Sequence, residues 1–319
     1  MPIQGNNYDL GTLSARWEGG SLQLNNNVAG AIFFVNSSHA NASNTNTGTD
    51  WAHCCATIDG GVNKCTASQG DMVVVAPDHV ENLAADSAID IDRAGVTVFG
   101  IRRGREMPTL TVTAAAGDCK LAAAGCSIHN LRFLGGVDII TGCIEVSAAD
   151  CAIIDCEFRD VTGQATDVIM TTTGLAADRL LIDGWCHMGA TAAGANSSIA
   201  IHGSDDSEMR NLKINGNFAV GAIDCRNTKS LNLWIHDSII RTCNVADICI
   251  MDTITGSEGC IGPNVHLMVA DNAGGTLASS VTGATFWLAG DVYACNAVNE
   301  RASQGGGADA TGFIRAPST

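Results

Sequence analysis

An apolar pair spaced i, i+2 returns along most of the chain: Ile89/Ile91, Cys119/Leu121, Ile144/Val146, Val168/Met170, Ile199/Ile201, Ile223/Cys225 and Ile248/Ile250. Its first members recur about every 26 residues, with two longer steps of 30 and 31. A spacing of two is the strand period, in which alternate side chains share a face. A fixed period of this length marks stacked units, none of which buries its apolar face alone. A second signature follows each pair, with apolar residues at j, j+2, j+5 and j+7. Cys126/Ile128/Leu131/Phe133 and Cys151/Ile153/Cys156/Phe158 show it most clearly. Val96/Val98/Ile101, Leu180/Ile182/Trp185, Met209/Leu212/Ile214 and Val265/Leu267 follow the same template, and Leu231/Leu233/Ile235 follows it one residue shorter. It reads as two short strands around a bend, with Gly, Asn and Asp at the corners.

The predicted architecture is all-β, a right-handed parallel β-helix over residues 31–295, with about eight or nine rungs stacked about 4.8 Å apart. Like residues should lie over like, Cys126 with Cys151 and Phe133 with Phe158. A twelve-residue gap separates pair from second signature at Val168 to Leu180 and at Ile248 to Cys260, so loops should protrude at TTGLAAD and DTITGSEG. Ile58, Val62 and Cys65 fall at i, i+4, i+7, the stripe of a short capping helix over residues 56–65. Residues 1–30 show little periodicity and read as an extended N-terminal arm, whose Tyr8, Leu10, Trp17, Leu22 and Leu24 are candidate partner-binding residues. Residues 296–319 are Gly-rich and polar, a C-terminal tail.

Composition narrows the core and the partners. Hydrophobic residues make up 46% of the 319 residues but aromatics only 5%, so the interior must be layered from small and β-branched side chains. The net charge of −16 repels phosphate backbones and anionic lipid, so neither nucleic acid nor membrane is an expected partner. The first twenty residues lack a basic segment followed by an apolar run, and no export signal or membrane span is expected. The 14 Cys include no CxxC, and several fall at inward repeat positions, which suits buried free thiols rather than metal.

The segment IFFVNSSHANASNTNTGTDWAHCCATIDGGVNKCTASQGDMVVVAPDHVENL resembles the entry segment of pectate-lyase-like β-helix proteins. CIEVSAADCAIIDCEFRDVTG and ADICIMDTITGSEGCIGPN resemble β-helix proteins of tailed bacteriophages, commonly encoded among virion structural genes. The resemblance covers roughly residues 31–295 and implies a stacked scaffold, with or without polysaccharide chemistry.

That chemistry has few candidates. Asp205, Asp206 and Glu208 form a possible glycan site, because glycoside hydrolysis needs two carboxylates across one bond. An Asp pair at a rung corner is also ordinary turn chemistry. In galacturonan hydrolases of this fold the pattern adds a paired Asp, a His flanked by Gly and an Arg-x-Lys; here His202-Gly203 precedes the Asp pair, but Arg226-Asn227-Thr228-Lys229 has the wrong spacing. Asp155, Glu157 and Arg159 imitate the acidic cluster and arginine of pectate lyases, and strand alternation explains them equally well. The histidines His129, His187, His236 and His266 share no metal-ligand spacing, Trp185 fits an inward position, and neither a cofactor nor a metal is expected.

The expected function is therefore a non-enzymatic bacteriophage virion structural protein: a capsid cement or decoration protein on the shell exterior, assembled in the host cytoplasm. Its expected partners are the major capsid protein, through the N-terminal arm and loops, and its own copies in a homotrimer. The alternative is a tailspike-like or fibre-associated protein that binds or degrades a surface polysaccharide.

Overall fold

The computed structural model describes residues 30–160, 165–172, 177–189, 194–242, 249–252, 254–269, 279–280, 285–290 and 292–296, together with 7–10, 13–18 and 21–24 near the N-terminus. From residue 32 onward it is a parallel β-solenoid of about seven turns, with three strands to a turn and almost no helix. The first sheet has eight strands: Ile89–Ile91, Cys119–Leu121, Ile140–Val146, Ala165–Thr171, Ser197–Ala200, Ile223–Asp224, Ile250–Asp252 and Ser279–Ser280. The second has ten, namely Ile32–Val35, Met72–Val75, Thr97–Gly100, Ser127–His129, Ala152–Ile154, Leu181–Asp183, Glu208–Arg210, Leu233–His236, Glu258–Ile261 and Thr285–Leu288. Nine strands make the third: Val80–Leu83, Thr109–Val112, Arg132–Gly135, Glu157–Arg159, Cys186–Met188, Lys213–Gly216, Ser238–Thr242, Val265–Val269 and Val292–Asn296. No described helix is long and apolar enough to cross a membrane.

Strands of three or four residues have no independent stability. They persist because each lies in register on its neighbours, so that one inward residue per strand forms a continuous file. In the first sheet the file runs Ile89, Cys119, Ile144, Ile169, Ile199, Ile223, Ile250. In the second it runs Val73, Val98, Ile128, Ile153, Ile182, Met209, Ile235, Ile261. In the third it runs Leu110, Phe133, Phe158, His187, Ile214, Ile240, Leu267. All of these side chains are buried and belong to one core, His187 being its polar member. The expected Phe133–Phe158 pair is in register, and Cys126 and Cys151 stand one residue before the registered pair Ser127 and Ala152.

Two details of the expected repeat are displaced. The fourth inward pair is Ile169/Thr171 rather than Val168/Met170, and Thr171 is buried because its hydroxyl accepts the His202 N–H at 2.6 Å. The seventh begins at Ile250, with Asp252 on the file of Cys225, and Ile248 lies outside the described residues. A polar residue at an inward position hid the true phase in both cases. With the register corrected, Leu233/Ile235/Ser238/Ile240 falls at the spacing of the full second signature.

The two corners of each turn that flank the second sheet are set by left-handed residues, which Asn, Asp and Gly adopt at least cost. One corner file is Asn130, Asp155, Gly184, Asn211, Asp237, Asn264, with φ between 47° and 71°. The other is Gly95, Gly125, Asp150, Arg179, Asp206, Asn232, with φ between 54° and 73°. Arg179 is the unexpected member; its guanidinium reaches back one turn to hold both oxygens of Asp150, at 2.6 and 2.8 Å.

The expected helix of residues 56–65 is shorter, Ile58–Val62. Thr57 caps it by accepting the Gly60 N–H, and Glu81, itself 3.1 Å from His79, accepts the Ile58 N–H. Ile58 and Val62 enter the core, and a Cβ on Gly61 would lie 2.8 Å from Val35 and 2.9 Å from Val73, so glycine is what allows the helix this close. Residues 7–24 depart from the expected aperiodic arm: Asn7–Leu10, Leu13–Glu18 and Ser21–Leu24 form a separate antiparallel sheet. The intervening Gly11-Thr12 and Gly19-Gly20 have the composition of two-residue hairpin connections. The tail from residue 297 lies outside the described residues, as does the centre of the TTGLAAD loop.

Inside the column, Ser198 accepts the Trp185 indole N–H at 3.0 Å and stands 2.8 Å from His187 Nδ1. Since tryptophan only donates, the Ser198 hydroxyl is free to donate to His187, whose own proton then sits on Nε2. That nitrogen is buried with no hydrogen-bond partner among the described residues, and the His187 ring meets those of Phe158 and Phe218 with centroids 5.0 and 5.2 Å apart. Burial pushes His187 down to about 3 and His129 down to about 4.

Two outcomes follow. The unfolded chain binds a proton at His187 near pH 6.5 and the folded chain only near 3, so the thermal midpoint should fall as pH drops through that window. His187→Leu should flatten the slope; an unchanged slope assigns the acid sensitivity elsewhere. Of the twelve cysteines whose side chains are described ten are buried, and burial pushes the thiols of nine of them up, to about 12 for Cys65, Cys151 and Cys156. A bulky alkylating reagent applied to the native protein should, among these twelve, modify only the half-buried Cys186 and Cys260, as read by peptide mass mapping.

Candidate functional site

The three carboxylates singled out in the sequence do not converge. Asp205 and Asp206 occupy the corner before the strand Glu208–Arg210, and both are spent on the backbone architecture. An oxygen of Asp205 accepts the Leu231 N–H of the next turn at 2.7 Å, while its own N–H is taken by Asp178 at 3.0 Å. Asp206 is the left-handed residue and accepts from Asn232 Nδ2 at 2.9 Å. Glu208 alone turns outward, on the second sheet, where it joins a set of side chains that the linear sequence keeps far apart.

Register places Asp183, Arg210 and His236 in one outward file, and Glu208 beside Trp234 in the next. Arg210 bridges Asp183, at 2.9 Å, and Glu208, at 2.7 Å. His236 lies between two carboxylates, Nε2 at 3.0 Å from Glu208 and Nδ1 at 2.7 Å from Asp237. Asn264 and His236 together hold Asp237 below the usual carboxylate range, Asn264 by donating to its other oxygen at 2.8 Å. The Trp234 indole stacks on the His236 ring, centroids 4.0 Å apart and planes inclined by 27°, and donates to the Gly262 carbonyl at 2.8 Å. Arg210, His236 and Asn264 hold the three carboxylates in fixed pairs, so the cluster is braced and, with one guanidinium against Asp183, Glu208 and Asp237, rich in acceptor oxygens.

Along the corner between the second and third sheets runs a groove of about 470 Å³, lined by Asp155, Asn211 and Asp237 on one side and by Glu157, Lys213 and Ile239 on the other. Arg103 closes one end by pairing with Asp155. Glu157 pairs with Arg132 and, at 3.1 Å, with Arg159, so the lyase-like trio Asp155, Glu157 and Arg159 is divided between two separate ion pairs.

Two further clusters escaped the sequence reading. His202 meets not the Asp pair but Asn227, at 2.9 Å, beside Asp224, which Arg226 holds through both oxygens at 2.9 and 3.1 Å. Burial is the main influence on two groups of this cluster, pushing His202 down and the Asp167 carboxyl up. Asp86, Asp118 and Glu145 bring carboxylate oxygens within 4.8 Å of one another, with Asp118 pushed up to about 6 by burial. The Lys120 ammonium lies 2.9 Å from Glu145, and the Ser87 N–H donates to Asp118. The hairpin register pairs Tyr8 with Ala15, Leu10 with Leu13, Trp17 with Leu22 and Ala15 with Leu24, so the five candidate positions near the N-terminus share one face of the sheet. Asn7, Asp9, Ser14, Arg16, Glu18, Ser21 and Gln23 fall on the other.

No protein-family model matches the chain, and no curated protein matches it. Among solved structures, ORF18 of Geobacillus virus E2 aligns over 89% of this chain and 68% of its own at 13% identity, with a TM-score of 0.41. An alginate lyase from Paenibacillus sp. str. FPU-7 aligns over 72% of this chain and 94% of its own at 11% identity, with a TM-score of 0.32. Neither likeness says what this chain binds or does; the class its own strands define is the parallel β-solenoid.

The corner roles give a direct check. Asp205→Ala strips the Leu231 N–H of its acceptor and should lower unfolding free energy by about 1–2 kcal/mol in urea titration. Asp206→Gly keeps the left-handed corner and should be close to neutral. Equal losses at the two positions would contradict the assignment.

Proposed function

We propose that this chain is a structural protein of a tailed-bacteriophage virion, a cement or decoration protein that rides on the capsid exterior. The observation that carries the reading is the amphipathic face of the N-terminal sheet. A three-stranded sheet with Tyr8, Leu10, Leu13, Trp17, Leu22 and Leu24 at positions of one face is stable in water only when that face is covered. Among the described residues it pairs with none of the three column sheets, so it is a sheet in its own right. The major capsid protein is the partner this reading assigns to it. The resemblance of the repeat segments to virion β-helix proteins supports the same reading, and so does a column whose acidic groups are largely tied up in its own architecture. Copies arranged as a trimer would multiply weak contacts into stable attachment at symmetric shell positions.

In purified particles the protein should be present in hundreds of copies by quantitative gel, not in the roughly six to eighteen of a tail component. Leu10→Asp combined with Trp17→Asp, or removal of residues 1–30, should abolish attachment to particles while the far-ultraviolet spectrum and melting of the column persist. Undiminished attachment of both variants would overturn the docking role of this sheet.

A further inference from the structure

One surface feature is separate from the docking sheet and extends beyond the cluster around Glu208. The outward file that carries Leu181 and Glu208 continues through Trp234 and Cys260 to Trp287, one residue per turn. Trp234 is 41% exposed and Trp287 70% exposed, in a chain that holds five tryptophans in all and buries Trp185 completely. Two large aromatic rings thus stand on one line, two strand spacings or about 9.6 Å apart, with a small half-buried residue between them.

We propose that this line is a binding platform for an uncharged oligosaccharide. The first reason is rigidity. One face of Trp234 is stacked on His236 and its indole N–H is fixed on the Gly262 carbonyl. His236 is in turn clamped between Glu208 and Asp237, so the ring is locked in place before any ligand arrives. The second reason is chemistry. A pyranose presents a face of C–H groups that settles on the electron-rich face of an indole, while its hydroxyls point outward to polar groups. Glu258, exposed and on the same side of the sheet, lies next to the file with acceptor oxygens for such hydroxyls. The third reason is spacing: two rings in a row with a gap between them match a chain of linked sugar rings rather than a single small aromatic ligand. Charge then narrows the class. Arg210, the cation beside Glu208 and His236, is already shared between Asp183 and Glu208, and the net charge of −16 opposes a polyanion. The platform owes nothing to residues 1–30, so it stands or falls separately from the docking reading.

The test titrates the full-length protein with three uncharged hexasaccharides, cellohexaose, maltohexaose and chitohexaose, with a hexamer of alginate as the polyanionic control. Tryptophan fluorescence and calorimetry provide the readouts. At least one uncharged hexamer should bind saturably, with little dependence on ionic strength, while the alginate hexamer does not. Trp287→Ala should weaken binding by about tenfold or more, the loss of one aromatic contact, with the melting midpoint unchanged. Trp234→Phe should retain part of the affinity that Trp234→Ala loses, which separates loss of the platform from loss of local structure. Absence of saturable binding by all three uncharged hexamers into the millimolar range overturns the proposal, as does equal binding by the Trp234→Ala/Trp287→Ala double variant. A double variant that detaches from particles, when no hexamer binds the parent protein, makes the line a protein contact instead. Loss of attachment through residues 1–30 with sugar binding intact would leave this inference standing.

Discussion

Everything in this molecule depends on in-register parallel stacking. A strand of three residues cannot hold itself together, and one turn of this column has no interior of its own. Hydrogen bonds to the turns above and below fix each strand, and the same register forces the side chain at each inward position to rest on its counterpart. That is why isoleucine follows isoleucine in the first sheet and why Phe133 lies on Phe158. It is also why His187, which occupies a position that is aromatic in the two preceding turns, must be neutral and must take its hydrogen bond from Ser198 inside the column.

The same geometry organises the charge. Arg132 with Glu157, Arg179 with Asp150, Arg210 with Asp183 and Lys120 with Glu145 are all contacts between adjacent turns, made by residues 25 to 29 apart in the chain. A protein with 17 Lys and Arg against 33 Asp and Glu spends many of its cations this way. Further carboxylates, such as those of Asp205 and Asp206, become acceptors for the backbone or the amide of the following turn. Acidic clusters that look catalytic in one dimension are distributed, in three, among vertical pairs.

The period, the three-strand turn and most of the core were legible because apolar residues at spacing two report directly on an inward face. The phase slipped where that face carried Thr171 or Asp252, since hydropathy alone cannot distinguish an inward polar residue with a partner from an outward one. The N-terminal sheet was missed because its alternation is clear only once the hairpin register superimposes three short segments. The outward aromatic line was invisible for a related reason. Counting tryptophans shows that they are few, whereas the relation of Trp234 to Trp287 appears only when residues 53 apart fall two turns apart on one file. Glu208 was found, but its companions Arg210, His236 and Trp234 are brought to it by the stacking.

Because each turn touches only the turns beside it, the column's height is decoupled from the chemistry at any one level. Gain or loss of a whole turn would move the last turns relative to the first by about 4.8 Å while leaving every remaining file, corner and ion pair in phase. The chain is in this sense a graduated spacer, on which the distance between two attached functions is set by counting repeats rather than by redesigning either one.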